Sequence, residues 1–260
     1  MTTTLTDPLP PRRVTAPPGP IRLDAGPADI AALNRMVGDG AQAGNEHPAD
    51  AGRLDQVIPK PWGHELRTFA DEYFDVWTLA IGPGHATSMH VHPRKLTYLV
   101  CLDGDGTTAG LSGEIPVGRG TIMRIAPGAF HSTRNTGSGQ LHLTEVEVPR
   151  NKLDLLRLAD GYSRQGTGYE TGFRALDDLP LRDVRHRPNT RMRDRTPDGR
   201  YSFSLRTGMD LFYRRGLPAD ICYVPLCMSG VTGGDVAILA AGDGQVPDTG
   251  RTYLCISRAA

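Results

Sequence analysis

The chain has 260 residues, 31 of them glycine and 21 proline, and its 29 Lys+Arg balance its 29 Asp+Glu. A turn former at every fifth position argues for short strands and loops over a long-helix bundle. Zero net charge argues against a nucleic-acid partner held by phosphate neutralisation. No run of about 18 apolar residues is present, so no membrane-spanning helix and no membrane partner are expected. Residues 1–22 lack the apolar stretch of a secretory signal. The four cysteines (Cys101, Cys222, Cys227, Cys255) show no Cys-x-x-Cys spacing. They read as reduced, mostly buried thiols of a cytoplasmic protein.

Residues 1–20 hold six prolines and predict a disordered or draped tail. Residues 29–37 predict a short helix with Ile30, Leu33 and Val37 on one stripe, and glycine-rich 38–44 ends it. Packing or a homodimer contact is its expected role. From residue 60 the texture changes. Residues 73–81, 88–92, 96–102, 121–125 and 141–148 read as strands, and Asp103-Gly-Asp-Gly106 reads as a hairpin turn. Short strands punctuated by glycine predict an antiparallel barrel or a double-sheet jelly roll. Residues 151–159 predict a short helix. Residues 171–206, with nine Arg and five Asp, predict a solvated linker, with an anion site as the sharper reading. Residues 201–205, 209–213, 221–228, 236–241 and 251–257 read as strands of a second, smaller β unit.

Chemistry concentrates in the histidines. His90 and His92 are two apart, so on a strand both imidazoles face one side. His131 follows Pro127-Gly-Ala-Phe, the turn before another strand. Two facing strands then offer three neutral imidazoles to one divalent transition metal; Fe, Ni, Mn and Zn all suit the set.

The combination Gly84-x5-His90-x-His92 with Pro127-Gly-x2-His131-x3-Asn135 resembles the cupin superfamily. The resemblance implies a mainly β jelly-roll barrel and a metal on His90, His92 and His131. Cupins often place Glu or Gln four or five residues after the second His; here Leu96 and Thr97 stand there. A second likeness is narrower. Lys60-Pro-Trp-Gly-His-Glu65, His90-Val-His-Pro-Arg-Lys95, Glu145-Val-Glu147, Asp154-Leu-Leu-Arg-Leu158 and Tyr169-Glu170 are similar to segments of phosphomannose-isomerase-like cupins of bacterial sugar-biosynthesis clusters. The organisation expected is an extension over 1–50, a metal-binding cupin domain over 51–170, and an Arg-rich linker with a C-terminal β unit over 171–260. That last unit reads as a degenerate second cupin or as a stabilising or assembly element.

Three functions compete. The first is a metal-dependent isomerase or epimerase of a sugar or sugar phosphate, a small-molecule substrate, with His64, Tyr98, Glu145 or Glu147 moving the proton. The second is a non-haem Fe(II) dioxygenase using the three-histidine site. The third is a non-catalytic binding or scaffold protein. Arg94, Lys95 and Arg134 flank the motifs and are candidates to hold a phosphate or carboxylate, and Trp62 to wall the pocket. Parity with the histidines makes Arg94 the leading anchor and turns Tyr98 toward the cavity.

Overall fold

The structure is a computed structural model that describes residues 19–164, 169–170, 172–185, 189–214, 217–227, 230 and 232–259. The expected tail falls almost wholly outside them. In chain order, β1 (Ile21–Leu23), α1 (Pro27–Gly38) and α2 (Ala51–Leu54) make the extension. The central unit follows: β2 (Val57–Lys60), β3 (Gly63–Ala70), β4 (Asp75–Ile81), β5 (Met89–Val91), β6 (Leu96–Asp103), β7 (Asp105–Ala109), β8 (Glu114–Gly118), β9 (Ile122–Ile125), β10 (Ser132–Asn135), β11 (Leu141–Val148) and β12 (Leu156–Ala159). Two short strands, β13 (Arg182–Asp183) and β14 (Arg191–Met192), lead to β15 (Tyr201–Thr207), α3 (Gly208–Tyr213), β16 (Asp220–Pro225), β17 (Leu239–Ala240) and β18 (Thr252–Arg258).

The jelly roll has two walls. One is a continuous sheet ordered β1-β9-β6-β11-β4-β3-β14-β13, with β2 also paired to β3. The other joins β12-β5 to β10-β7-β8 through the bridge pairs His90–His131 and Ala86–Arg134. Alternation along the first wall sorts its residues. Trp77, Leu79, Ile81, Leu99, Cys101, Leu141 and Leu143 point between the walls. Val76, Tyr98, Val100, Leu102, Val146 and Val148 point outward, onto Phe203, Ile221, Val224, Leu254 and Ile256. The C-terminal unit is one four-stranded sheet, β15-β18-β16-β17, and shares a core with the jelly roll's outer face. Among the described residues neither unit closes into a barrel: the jelly roll remains two facing walls and the C-terminal unit an open sheet. Burial on both faces explains why β4 and β11 are buried at every position.

Several local expectations are corrected. The 103–106 turn is no hairpin: β6 pairs with β9 and β11, while β7 pairs with β8 and β10, so the chain crosses from wall to wall. Gly104, at φ 92°, makes that corner, where a Cβ would lie 2.8 Å from the Gln140 carbonyl. The helix expected over 151–159 is instead a turn followed by β12, which pairs with β5. The strand expected over 209–213 is α3, because the Thr207 hydroxyl caps it by accepting from Asp210 N. Helix α1 forms, but Ile30 and Val37 are more than half exposed and Asp29 and Ala32 are buried. The Asp29 carboxylate accepts from the amides of Gly26 and Phe130, both at 2.9 Å, and this turns the polar residue inward. Within the Arg-rich stretch, Arg193 is buried and donates to the carbonyls of Arg67 and Asp55, so that position is anchored rather than solvated.

Candidate metal centre

The bridge between β5 and the start of β10 brings the histidines together. His90 N and His131 O lie at 3.0 Å and the reciprocal pair at 2.8 Å, which fixes the register across the seam. His92 follows β5 directly and sits on the same face as His90. The ring centroids lie 4.3–5.3 Å apart, and one ring nitrogen from each of the three falls within 4.8 Å of the others.

Each ring is oriented by a backbone carbonyl. His90 Nδ1 meets Ser88 O at 2.7 Å, His92 Nδ1 meets Asp154 O at 2.6 Å, and His131 Nδ1 meets Ala129 O at 3.2 Å. A carbonyl only accepts, so each Nδ1 carries the proton and each Nε2 keeps its lone pair. Nε2 of His92 and of His131 is buried without a hydrogen-bond partner. Burial lowers the pKa of all three, with the neighbouring His131 adding to the effect on His90 and Lys95 to that on His92; His131 falls to about 4. The rings are therefore neutral near pH 7. Three neutral imidazoles with ring nitrogens within 4.8 Å of one another fit a divalent transition metal.

A cavity opens beside the histidines. Trp62, Leu79, Leu99, Leu143 and Leu155 give it apolar walls, and Lys60, Glu65, Glu145, Lys152, Arg157 and Arg164 line the rest. Glu145 and Glu147 project inward from β11, and a carboxylate oxygen of each lies within 4.8 Å of a His92 ring nitrogen. They pair with Leu99 and Thr97 of β6 in the ladder, so the acid missing at 96 and 97 stands on the neighbouring strand. Lys152 Nζ lies 3.2 Å from each carboxylate and 3.6 Å from Glu65, and Lys95 Nζ lies 2.8 Å from Glu147. Burial pushes Glu145 up to about 7 against the pull of Lys152, with the Glu147 charge adding to the rise. Burial would raise Glu147 as well, but Lys152 and Lys95 outweigh it and hold that carboxyl at about 2.

Other sequence candidates lie elsewhere. Tyr98 faces away from the cavity: its hydroxyl accepts from Val236 N at 2.8 Å, in the core shared with the C-terminal sheet. The turn at 93–95 carries the chain from one wall to the other, so parity with His92 does not extend to residue 98. His64 also faces outward, into a smaller cavity shared with His142 and Asp198. The Arg94 guanidinium is spent on Asp154, Asn45 and the Gly44 carbonyl, outside the cavity lining. Arg134 is exposed and donates to Gly84 O. Lys95 is buried behind the site on Glu147 and does not line the cavity. Trp62 does line it. Sequence reasoning missed Lys60, Glu65, Lys152, Arg157 and Arg164 as site residues. One signal was available: the chain has only three lysines against 26 arginines, and the side chains of all three are at most 5% exposed around this site.

Residues 77–147 match the family model described as a cupin domain. The match takes in β6, β9 and most of β4 and β11 of the continuous sheet and the strands of the histidine seam, so this part of the chain has the sequence pattern of a cupin domain. Among curated proteins, the chain is similar to mannose-1-phosphate guanylyltransferases. It is 30% identical to that of Klebsiella pneumoniae over 111 residues, 41% of this chain and 23% of that protein. It is 25% identical to that of Sinorhizobium fredii over 120 residues, 45% of this chain and 23% of that protein. The chain therefore spans about a quarter of the length of the curated relatives it matches. Among solved structures, the capsular polysaccharide assembling protein CapF of Staphylococcus aureus is 16% identical at a TM-score of 0.36, covering 40% of this chain and 34% of that one. Oxalate decarboxylase of Lactobacillus farciminis is 17% identical at 0.37, covering 40% and 33%.

Proposed function

We propose that this chain is a metal-dependent enzyme that isomerises or epimerises a small phosphorylated sugar. The observation that carries the reading is the set of three neutral imidazoles, each with a ring nitrogen within 4.8 Å of the others, beside a cavity holding a buried carboxyl, Glu145. His90, His92 and His131 would hold the metal, which supplies Lewis acidity toward a carbonyl or enediolate oxygen. Glu145 is the proton-transfer residue: it lines the cavity, and Lys152 at 3.2 Å fixes its position. Lys152 also places positive charge where negative charge develops on the substrate. Trp62 and the leucines exclude water from one side. The sugar-phosphate substrate class draws support from the sequence likeness to mannose-1-phosphate guanylyltransferases.

The test is metal analysis of the purified full chain, followed by assay of aldose and ketose phosphates for substrate-dependent solvent-proton exchange at the carbon beside the carbonyl. Exchange that requires the metal and is lost in Glu145→Gln supports the reading. Bound iron with substrate-dependent oxygen uptake and no proton exchange would replace it with the dioxygenase. Metal without either activity would favour a non-catalytic cupin.

A further inference from the structure

Three cations converge on one carboxylate at the wall of the same cavity. Lys60 Nζ pairs with Glu170 Oε2, while Arg157 Nη2, at 3.1 Å, and Arg164 Nη1 both pair with Glu170 Oε1. The Lys60 and Arg157 side chains are 4% exposed, and those of Arg164 and Glu170 are 14% and 13% exposed. All three cations line the cavity, whereas Glu170 reaches them from beyond β12. Burial opposes the charge on Glu170, yet Lys60 and then Arg157 hold its carboxyl below the usual range. The cations have other partners as well: Lys60 lies 3.1 Å from Glu65 and over the Tyr169 ring, and Arg164 lies 2.8 Å from Asp160.

We propose that Lys60, Arg157 and Arg164 form an anion subsite for a phosphate monoester, which the Glu170 carboxylate occupies until substrate displaces it. The identity of the reacting end rests on the function proposed above; the anion subsite rests on this cluster. Acceptor number favours phosphate over carboxylate. Glu170 offers two oxygens to three cations, so Arg157 and Arg164 share one of them. A phosphate monoester brings three terminal oxygens and nearly two negative charges where Glu170 brings two oxygens and one charge, and guanidinium forks suit that geometry. Displacement of Glu170 also gives the subsite a built-in selectivity. A ligand must bind the cluster better than a carboxylate already held there, which rejects neutral sugars and weak anions.

The subsite replaces the anchor that sequence reasoning placed at Arg94. It is tested by calorimetric titration of the full chain as purified with inorganic phosphate, and with acetate as the carboxylate probe. Glu170→Ala should bind phosphate at least tenfold more tightly than the parent, with acetate at least tenfold weaker than phosphate. Adding Arg157→Ala to that variant should abolish the gain. Should Glu170→Ala fail to fold, Glu170→Gln keeps the shape, removes the charge and should show the same order with a smaller gain. Phosphate affinity unchanged within twofold in a folded Glu170 variant overturns the proposal. So does a gain that survives Arg157→Ala, which would place the phosphate on the metal, or acetate binding equal to phosphate. Metal content measured on the same samples separates the two claims. Protein that gains phosphate but holds no metal contradicts the proposed function alone, and metal-loaded protein without the gain contradicts the subsite alone.

Discussion

At the scale of residues, the site is a set of charges that share a small volume. Lys152 neutralises parts of Glu145, Glu147 and Glu65 and lies over the Trp77 ring at 4.3 Å. Removing it would leave buried carboxylates without their cation, and Lys152→Ala should cost about 3–5 kcal/mol in urea unfolding. A loss under 1 kcal/mol would show that the carboxylates find other partners. Glu145→Gln should lower turnover by about 10²- to 10⁴-fold while metal content stays at the parent level, the pattern of a group that moves a proton rather than holds the ion. Metal lost together with activity would make Glu145 a ligand instead. Arg94→Ala should leave substrate affinity unchanged and cost about 1–2 kcal/mol of stability, because Arg94 clamps Asp154, Asn45 and Gly44. A raised Michaelis constant at unchanged stability would restore Arg94 as the anchor. The histidines were legible because identity and spacing suffice: a two-residue repeat on a strand fixes a shared face. The cations were not, because Lys60, Lys152, Arg157 and Arg164 come from segments whose proximity only the folded jelly roll creates.

At the scale of elements, strand periodicity was readable and connections were not. The strands over 73–81, 96–102 and 141–148 match β4, β6 and β11 because the first two are largely apolar runs and the third interleaves apolar with polar residues, each bounded by turn residues. The stretch over 209–213 has the same texture but becomes α3, since a single capping hydroxyl at Thr207 decides its geometry. Inward parity for Glu145 and Glu147 was undecidable from β11 alone and follows from its pairing with β4 and β6. The extension is tied to the jelly roll by Glu46, which accepts from Arg67 at 2.9 Å, from Arg150 at 2.7 Å and from Lys152 N at 3.2 Å. Burial pushes the Glu46 carboxyl up, but Arg67 and Arg150 outweigh it and its pKa falls below the usual value. A depressed carboxyl contributes stability that is fully present above its ordinary pKa of 4.5 and is lost as pH falls through its folded value. The gap in urea midpoint between the parent and Glu46→Gln should therefore be widest near pH 6–7 and shrink below pH 4. A gap that stays constant from pH 3 to 7 would exclude the ion pairs as its source.

At the scale of the whole molecule, three β layers stack: the histidine wall, the continuous central sheet and the C-terminal sheet. The central sheet has no solvent face over β4, β6 and β11, so the C-terminal layer is part of the core. Leu254, fully buried in that layer, packs among the side chains of the central sheet. Leu254→Ala should cost about 2–5 kcal/mol and leave metal content intact, because the histidines lie on the far side of the sheet. Loss of metal in a folded Leu254 variant would show that the layers are coupled. The central claim is that His90, His92 and His131 hold one divalent metal through Nε2, and elemental analysis of the purified parent and the three single His→Ala variants tests it most directly. The account predicts about one transition-metal ion per parent chain and loss of most of it in each folded variant; full occupancy retained in all three would contradict it.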